Sequence, residues 1–244
     1  MASTPAEEIV PDFPSFIRVY KDGRVERLKG TDIVPPSTNP DTGVQSKDVV
    51  INPETGLSAR LYIPNKPDHN KLPILLYFHG GGFAIETAFS PTYHNYLNSL
   101  VAEANVVVIS VDYRRAPEHP FPVVYDDSWT VVNAGGNKVH NMGMRVGSEG
   151  LDRAKLVGMV LIHPYFGSKT FEPGLQEGVG MCKDLMTDRD WYYKEVLEKS
   201  GWRGVVEAVE AKREDHVFHL FNPTCDNALA MLKQVASFMN ESKA

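Results

Sequence analysis

Ile74-Leu75-Leu76-Tyr77-Phe78-His79-Gly80-Gly81-Gly82-Phe83 is the stretch that decides the fold of this chain. Its first five residues form an apolar run between Pro73 and the glycines, short enough to read as a buried strand rather than a helix. The three glycines that follow have no side chains to block close approach. Their backbone N–H groups can therefore point at a developing negative charge, the requirement of an oxyanion hole for acyl transfer. The bland alternative is a flexible glycine-rich turn.

Outward from this stretch, strand and helix signals alternate. Val106 to Asp112 is a second buried strand, and the periodic segment 91–104 between the two predicts a helix with Leu97, Leu100, Val101 and Ala104 on one face. Upstream, Lys21-Asp22-Gly23 marks a hairpin between 17–20 and 24–27. Residues 30–45 are rich in Pro, Thr, Asn and Asp and predict a loop. Asp48 to Ile51 and Leu57 to Ile63 predict two further strands. Downstream, Tyr125 to Trp129 and Gly136 to Val146 read as helical segments, and Leu156 to Ile162 as a buried strand. Asp188 to Lys199 predicts a helix with Asp188 as its N-cap and Gly201 ending it. Val205 to Val209 predicts a strand, and Pro223 to Met239 an amphipathic helix with Leu229, Leu232, Ala236 and Met239 at core spacing. Such alternation argues for an α/β fold with a mostly parallel sheet and helices on both faces.

At 244 residues the chain suits a single domain, 1–244, with residues 1–13 expected as a mobile arm. A net charge of −6 gives no general attraction to nucleic acid or an anionic membrane. No apolar run reaches membrane-spanning length, and the acidic N-terminus lacks the apolar core of a signal peptide. Cys182 and Cys225 have no CxxC spacing and read as free thiols in a reducing compartment, which places the chain in the cytoplasm. The histidines have neither the spacing nor the partners of a zinc motif, so no metal and no cofactor are expected. The sequence sets no oligomeric state.

Four segments carry a resemblance. They are the His79–Phe83 loop, Asp112-Tyr113-Arg114-Arg115-Ala116-Pro117-Glu118-His119-Pro120-Phe121-Pro122, Asp184-Leu185-Met186-Thr187-Asp188, and Asp215-His216-Val217-Phe218-His219-Leu220-Phe221-Asn222-Pro223. Together they resemble the plant carboxylesterases, the hormone-sensitive-lipase-like branch of the α/β-hydrolase fold, over nearly the whole chain. The resemblance implies hydrolysis of small carboxylic esters by a Ser-His-Asp mechanism. It makes His216 the base and Asp184 the acid that orients it, with Asp188 left to the helix cap. It also assigns the oxyanion hole to Gly81 and Gly82 with the N–H of Ala134. By position alone His216 is a loop histidine after a strand, and a residue without a role is the simpler reading. His219 reads as a packing or hydrogen-bonding residue, while Asp112, Arg114 and Arg115 read as braces of the glycine loop.

The chain departs from the family where it matters most. The family's nucleophile lies in Gly-Asp-Ser-Ala-Gly, a strained turn between a strand and a helix. The matching stretch here is Val131-Val132-Asn133-Ala134-Gly135, so Asn133 stands in place of the serine, and an amide cannot serve as the acyl acceptor. Ser58, Ser110, Ser128, Ser148 and Ser168 all lie outside a Gly-x-Ser-x-Gly context. Only eleven residues separate Pro122 from Ala134, which leaves no room for a crossover helix followed by a parallel strand. A second gap falls between Phe166 and Lys183, where the family carries lid segments and the strand presenting the acid. The sheet is thus expected to lack its elbow strand and the fold most of its lid.

Three readings follow. The first is an ester hydrolase by descent that is inactive as written, a truncated or alternative gene product. The second is a protein that binds a small ester or hydrophobic carboxylic acid without cleaving it, resembling the soluble gibberellin receptors. The third is a lyase resembling the hydroxyisoflavanone dehydratases.

Overall fold

The computed structural model describes residues 9–10, 15–65, 72–134, 156, 158–163, 187–200 and 204–241. They fall into two compact units, Met1–Met159 with Leu232–Ala244, and Val160–Met231.

The first unit holds both sheets. A small antiparallel sheet joins β1 (Ile9–Val10), β2 (Ile17–Tyr20) and β3 (Val25–Arg27), with Ile9 opposite Tyr20 and Ile17 opposite Arg27. Ile9 and Val10 are therefore paired, where the sequence predicts a mobile arm. The larger sheet contains β4 (Gln45–Asn52), β5 (Leu57–Ile63), β6 (Ile74–Phe78) and β7 (Val107–Asp112) in the order β4-β5-β7-β6. β6 and β7 run parallel, with Ile74 opposite Val107, whereas β4–β5 and β5–β7 are antiparallel. Among the described residues the sheet is thus mixed, rather than mostly parallel.

Helices cover both faces of β6. On one side α1 (Pro91–Ala104) sets Tyr93 and Tyr96 against Tyr77, with ring centroids 6.0 and 6.2 Å away. Pro91 opens α1 where its missing N–H costs nothing, and Asn105 closes it in the left-handed conformation, donating its N–H to the Val101 carbonyl. On the other side, α2 (Val123–Ala134) buries Val124 and Val131 with Leu57, Val111 and Tyr113, and Leu76 and Phe78 pack against that cluster. Alternation along β6 sends Tyr77 to one helix and its two neighbours to the other.

A charged network fixes the β4–β5 hairpin. Arg60 is 1% exposed and donates to both carboxylate oxygens of Asp48, at 2.6 and 2.9 Å. It also donates to the Val34 carbonyl at 2.8 Å, and its guanidinium lies 3.4 Å from Nδ1 of His94. Tyr62 reaches the same nitrogen at 3.1 Å.

The two long edges of the larger sheet differ. β4 carries Lys47 and Asp48 and an irregularity between Val50 and Asn52, devices that discourage further pairing. β6 has no charge and no bulge. The Val107 N–H donates to the Pro73 carbonyl at 3.0 Å. In the parallel ladder, odd-numbered positions of β6 therefore turn their backbone to β7, while Ile74, Leu76 and Phe78 turn theirs outward. No strand pairs with that outer side among the described residues.

The predicted strands 156–162 and 205–209 do not form. Leu156 and Gly158 to Ile162 carry no ladder, and Val205 and Val209 are 88% and 66% exposed. A strand needs a neighbour to receive its backbone bonds, and among the described residues neither segment has one. Gly158 instead lies so close to the Phe238 ring that an added Cβ would sit 2.5 Å from it. In the second unit, α3 (Thr187–Lys199) begins one residue before the expected cap, Asp188, and α4 (Phe218–Phe221) follows the His216 loop. Helix α5 (Asp226–Glu241) matches the predicted amphipathic segment. The predicted helix at 136–146, Gly201 and Cys182 lie outside the described residues. Cys225 is a free, half-buried thiol.

Candidate active site

The glycine loop leaves β6 and is shaped by its own backbone. Gly81 and Gly82 have φ of 100° and 57°, values that glycine adopts without penalty. At Gly81 an added Cβ would run into the Ile85 carbonyl oxygen. Ala84 and Ile85 donate their N–H groups back to the Gly81 carbonyl, each at 3.0 Å, which closes the turn. The Gly80 N–H is taken by the Tyr93 hydroxyl at 3.0 Å. Neither Gly81 nor Gly82 donates its N–H to any described residue, so two adjacent amides remain available to an incoming oxygen. Phe83, at φ 64°, continues the left-handed path and sets its ring edge-on to Phe121 at 5.0 Å.

His79 is 3% exposed and is part of the loop's support. Its ring stacks on Tyr113 at 4.3 Å and 6°, and the Tyr113 hydroxyl donates to the His79 carbonyl at 2.8 Å. Burial lifts the Tyr113 phenol well above its ordinary pKa, so the hydroxyl keeps its proton as a donor. The Asp112–Pro122 segment braces the loop from behind. Arg115 donates to the Glu86 carbonyl at 2.9 Å, and the Ala116 N–H to the Phe83 carbonyl at 2.9 Å. Asp112 accepts the Ala88 N–H at 3.2 Å. Arg114 turns elsewhere, fastening β7 to α2 through Asp127, which is 3% exposed, with its closest contact at 2.7 Å. Arg27 donates to the carbonyls of Ala84 and Ala116 at 2.7 and 3.1 Å, a contribution the sequence reading missed because nothing in the hairpin's pattern announces it.

The stretch matched to the family's nucleophile turn is helical here. Asn133 and Ala134 are the last two residues of α2, which runs unbroken from Val123. A helical N–H belongs to the helix ladder. Ala134 therefore does not occupy the strand-to-helix turn that would offer its N–H to an oxyanion. Two other described serines near the sheet are buried. Ser110 is fully buried on β7, and Ser128 is buried in α2 with its hydroxyl on the Val124 carbonyl at 2.6 Å.

In the second unit, His216 is exposed in the turn closed by the Phe218 N–H on the Asp215 carbonyl, and α4 starts two residues later behind Val217 at φ 52°. His163 meets it edge-on at 5.0 Å and lies parallel to His219 at 5.8 Å. Sequence reading did not bring in His163; its only signal was its place just after the apolar run 156–162. Asp184 lies outside the described residues. No group of three metal-ligating side chains is arranged to hold an ion among the described residues, and no described helix is long and apolar enough to cross a membrane.

His219 is 2% exposed, and its pKa is pushed down to about 4 by burial and by the neighbouring His163 and His216. Burial also lowers that of His94, with Arg60 adding to the effect. A histidine that resists protonation in the fold contributes stability that is fully present above its unfolded pKa near 6.5 and is lost as pH falls toward about 4. The unfolding free energy from urea titrations should thus drop as pH falls from 7 to 4, by roughly 3 kcal/mol for His219. His219→Gln should flatten that part of the profile.

A family model described as alpha/beta hydrolase fold matches residues 75–134. Probable carboxylesterase 7 of Arabidopsis thaliana is 42% identical over 305 residues, covering 94% of this chain and 98% of that protein. Since 94% of 244 residues is about 229, about 76 of those 305 aligned positions have no counterpart here. The 2-hydroxyisoflavanone dehydratase of Glycine max is 36% identical over 318 residues, covering 96% of this chain and 99% of that one. Among solved structures, a thermophilic carboxylesterase cloned from a metagenomic library superposes with a TM-score of 0.65 at 20% identity, covering 87% of this chain and 91% of that chain. A hyperthermophilic esterase from the archaeon Pyrobaculum calidifontis gives 0.63 at 23% identity, covering 81% and 83%.

Proposed function

Since the chain belongs to the plant carboxylesterase family of α/β-hydrolases, we propose that it is a non-hydrolytic member, descended from a hydrolase of small carboxylic esters and inactive as written. The observation that carries this reading is the unbroken helix α2 through Asn133 and Ala134, where a nucleophile would have to stand on a sharp turn. Gly81 and Gly82 retain the donors for an oxyanion, His216 is the base by descent and Asp184 the acid. Without a hydroxyl at the elbow no acyl-enzyme can form, and the base has no nucleophile to deprotonate. The roughly 76 aligned positions without counterpart support a loss of segments rather than a point change. We place the losses at 132–134 and 167–183.

The dehydratase relative keeps a lyase reading in view. That reading meets the same obstacle, because dehydratases of this branch also rely on a hydroxyl residue at the elbow. A fluorophosphonate probe, which labels activated serines, tests the proposal. Intact-mass spectrometry should show no adduct on this chain under conditions that fully label an active esterase. Stoichiometric labelling of any serine would overturn the reading.

A further inference from the structure

Behind the glycine loop lies an open cavity of about 250 Å³ whose charged lining is Arg27, Asp112, Arg114, Arg115, Glu118 and His119. Its charges are unevenly satisfied. Arg27 is locked to Glu118, with both carboxylate oxygens at 2.7 Å, so that carboxylate is spent. Arg114 has Asp127 as a bidentate partner. Arg115 is half-buried, and among the described residues its guanidinium donates one hydrogen bond, to a neutral carbonyl, that of Glu86. The other carboxylate of the lining, Asp112, faces the Ala88 N–H and the Ser58 hydroxyl, and burial raises its pKa. Burial and the nearby Arg27 charge lower the pKa of Arg115, and the attraction of Asp112 and Glu118 does not make up the difference. Gly56 forms part of the wall, with nothing within 4 Å of where its Cβ would be.

We infer that this cavity is a binding site for a small oxyanion, a carboxylate or a phosphate, held by the unpaired face of Arg115 with His119 beside it. A guanidinium presents planar, paired donors suited to either anion. The ligand would sit against the residues that hold the carbonyls of Phe83, Ala84 and Glu86, so its occupancy would stiffen the glycine loop from behind. The site is separate from the Gly81 and Gly82 amides, which lie on the loop itself.

Titration of the full chain with sodium phosphate and, separately, sodium acetate at constant ionic strength tests this, by calorimetry and by thermal melting. The expected result is saturable binding of at least one anion, with a melting temperature that rises with its concentration beyond the effect of chloride. Phosphate binding alone, or acetate binding alone, identifies which oxyanion the site prefers. Arg115→Gln should weaken binding by roughly tenfold or more while circular dichroism stays unchanged. Should Arg115→Gln fold poorly because the Glu86 contact is lost, His119→Gln, which leaves that contact intact, should still weaken binding. Chloride-like behaviour of both anions overturns the inference. So does binding that survives both substitutions, because it would then belong to the glycine amides. Neither result touches the fluorophosphonate test, which reads the nucleophile alone.

Discussion

Purified chain should turn over p-nitrophenyl acetate on the order of 10⁶-fold more slowly than a relative with a complete triad, the scale of loss when a hydrolase is deprived of its triad. His216→Ala should leave the residual rate unchanged. The second half is the sharper statement. A histidine contributes to acyl transfer by taking a proton from a nucleophile and returning it to the leaving group. On the non-hydrolytic reading proposed above, α2 runs through Asn133 and offers it no hydroxyl at the elbow position. Whatever rate remains can come only from oxyanion stabilisation by the Gly81 and Gly82 amides, which act without the imidazole. Initial rates over a range of ester concentrations decide the matter. Saturable turnover that disappears in His216→Ala would show a working catalytic pair and refute the non-hydrolytic reading.

Asp48→Ala should destabilise the chain by roughly 3 kcal/mol, the lower end of the cost of breaking a buried ion pair, since the Asp48 side chain is 38% exposed. The cost arises on the other side of the pair. Arg60 is 1% exposed, and without its bidentate partner its charge would be held by one carbonyl, His94 Nδ1 and the face of Phe89. Pairing Asp48→Ala with Arg60→Met should recover much of the loss, because removing both charges leaves no buried charge uncompensated, although the Val34 carbonyl loses its donor. Urea unfolding of the two variants beside the parent chain checks both claims. A double variant no more stable than Asp48→Ala would show that the arginine holds the hairpin by packing rather than by charge.

Much of the fold was legible because its elements announce themselves locally. The β6 run, the α1 stripe and the Asp-Gly turn each carry their own periodicity or turn chemistry, and the structure places them within a residue or so of expectation. The failures have a common cause. Leu156 to Ile162 and Val205 to Val209 have strand composition, but composition cannot supply a neighbouring strand, and their described residues stay unpaired. The site was legible where it is made of backbone, as at Gly81 and Gly82. It was not legible where distant segments converge. Arg27, 57 residues from Ala84, and His163, beside His216 only through the chain's return, have no pattern that marks them. Arg114 and Arg115 were expected to share the bracing of the loop. Only Arg115 does so, because the buried carboxylate nearest Arg114 belongs to α2.

The unequal edges of the larger sheet also set a valence. Among the described residues of the larger sheet, a strand can be added beside β6 but is discouraged beside β4, so that sheet offers one edge at which to join and none from which to continue. Two copies meeting through Ile74, Leu76 and Phe78 would use up both open sides at once and close on a twofold axis. Edge-to-edge growth of the larger sheet through β6 therefore terminates at a pair rather than running on into a fibre.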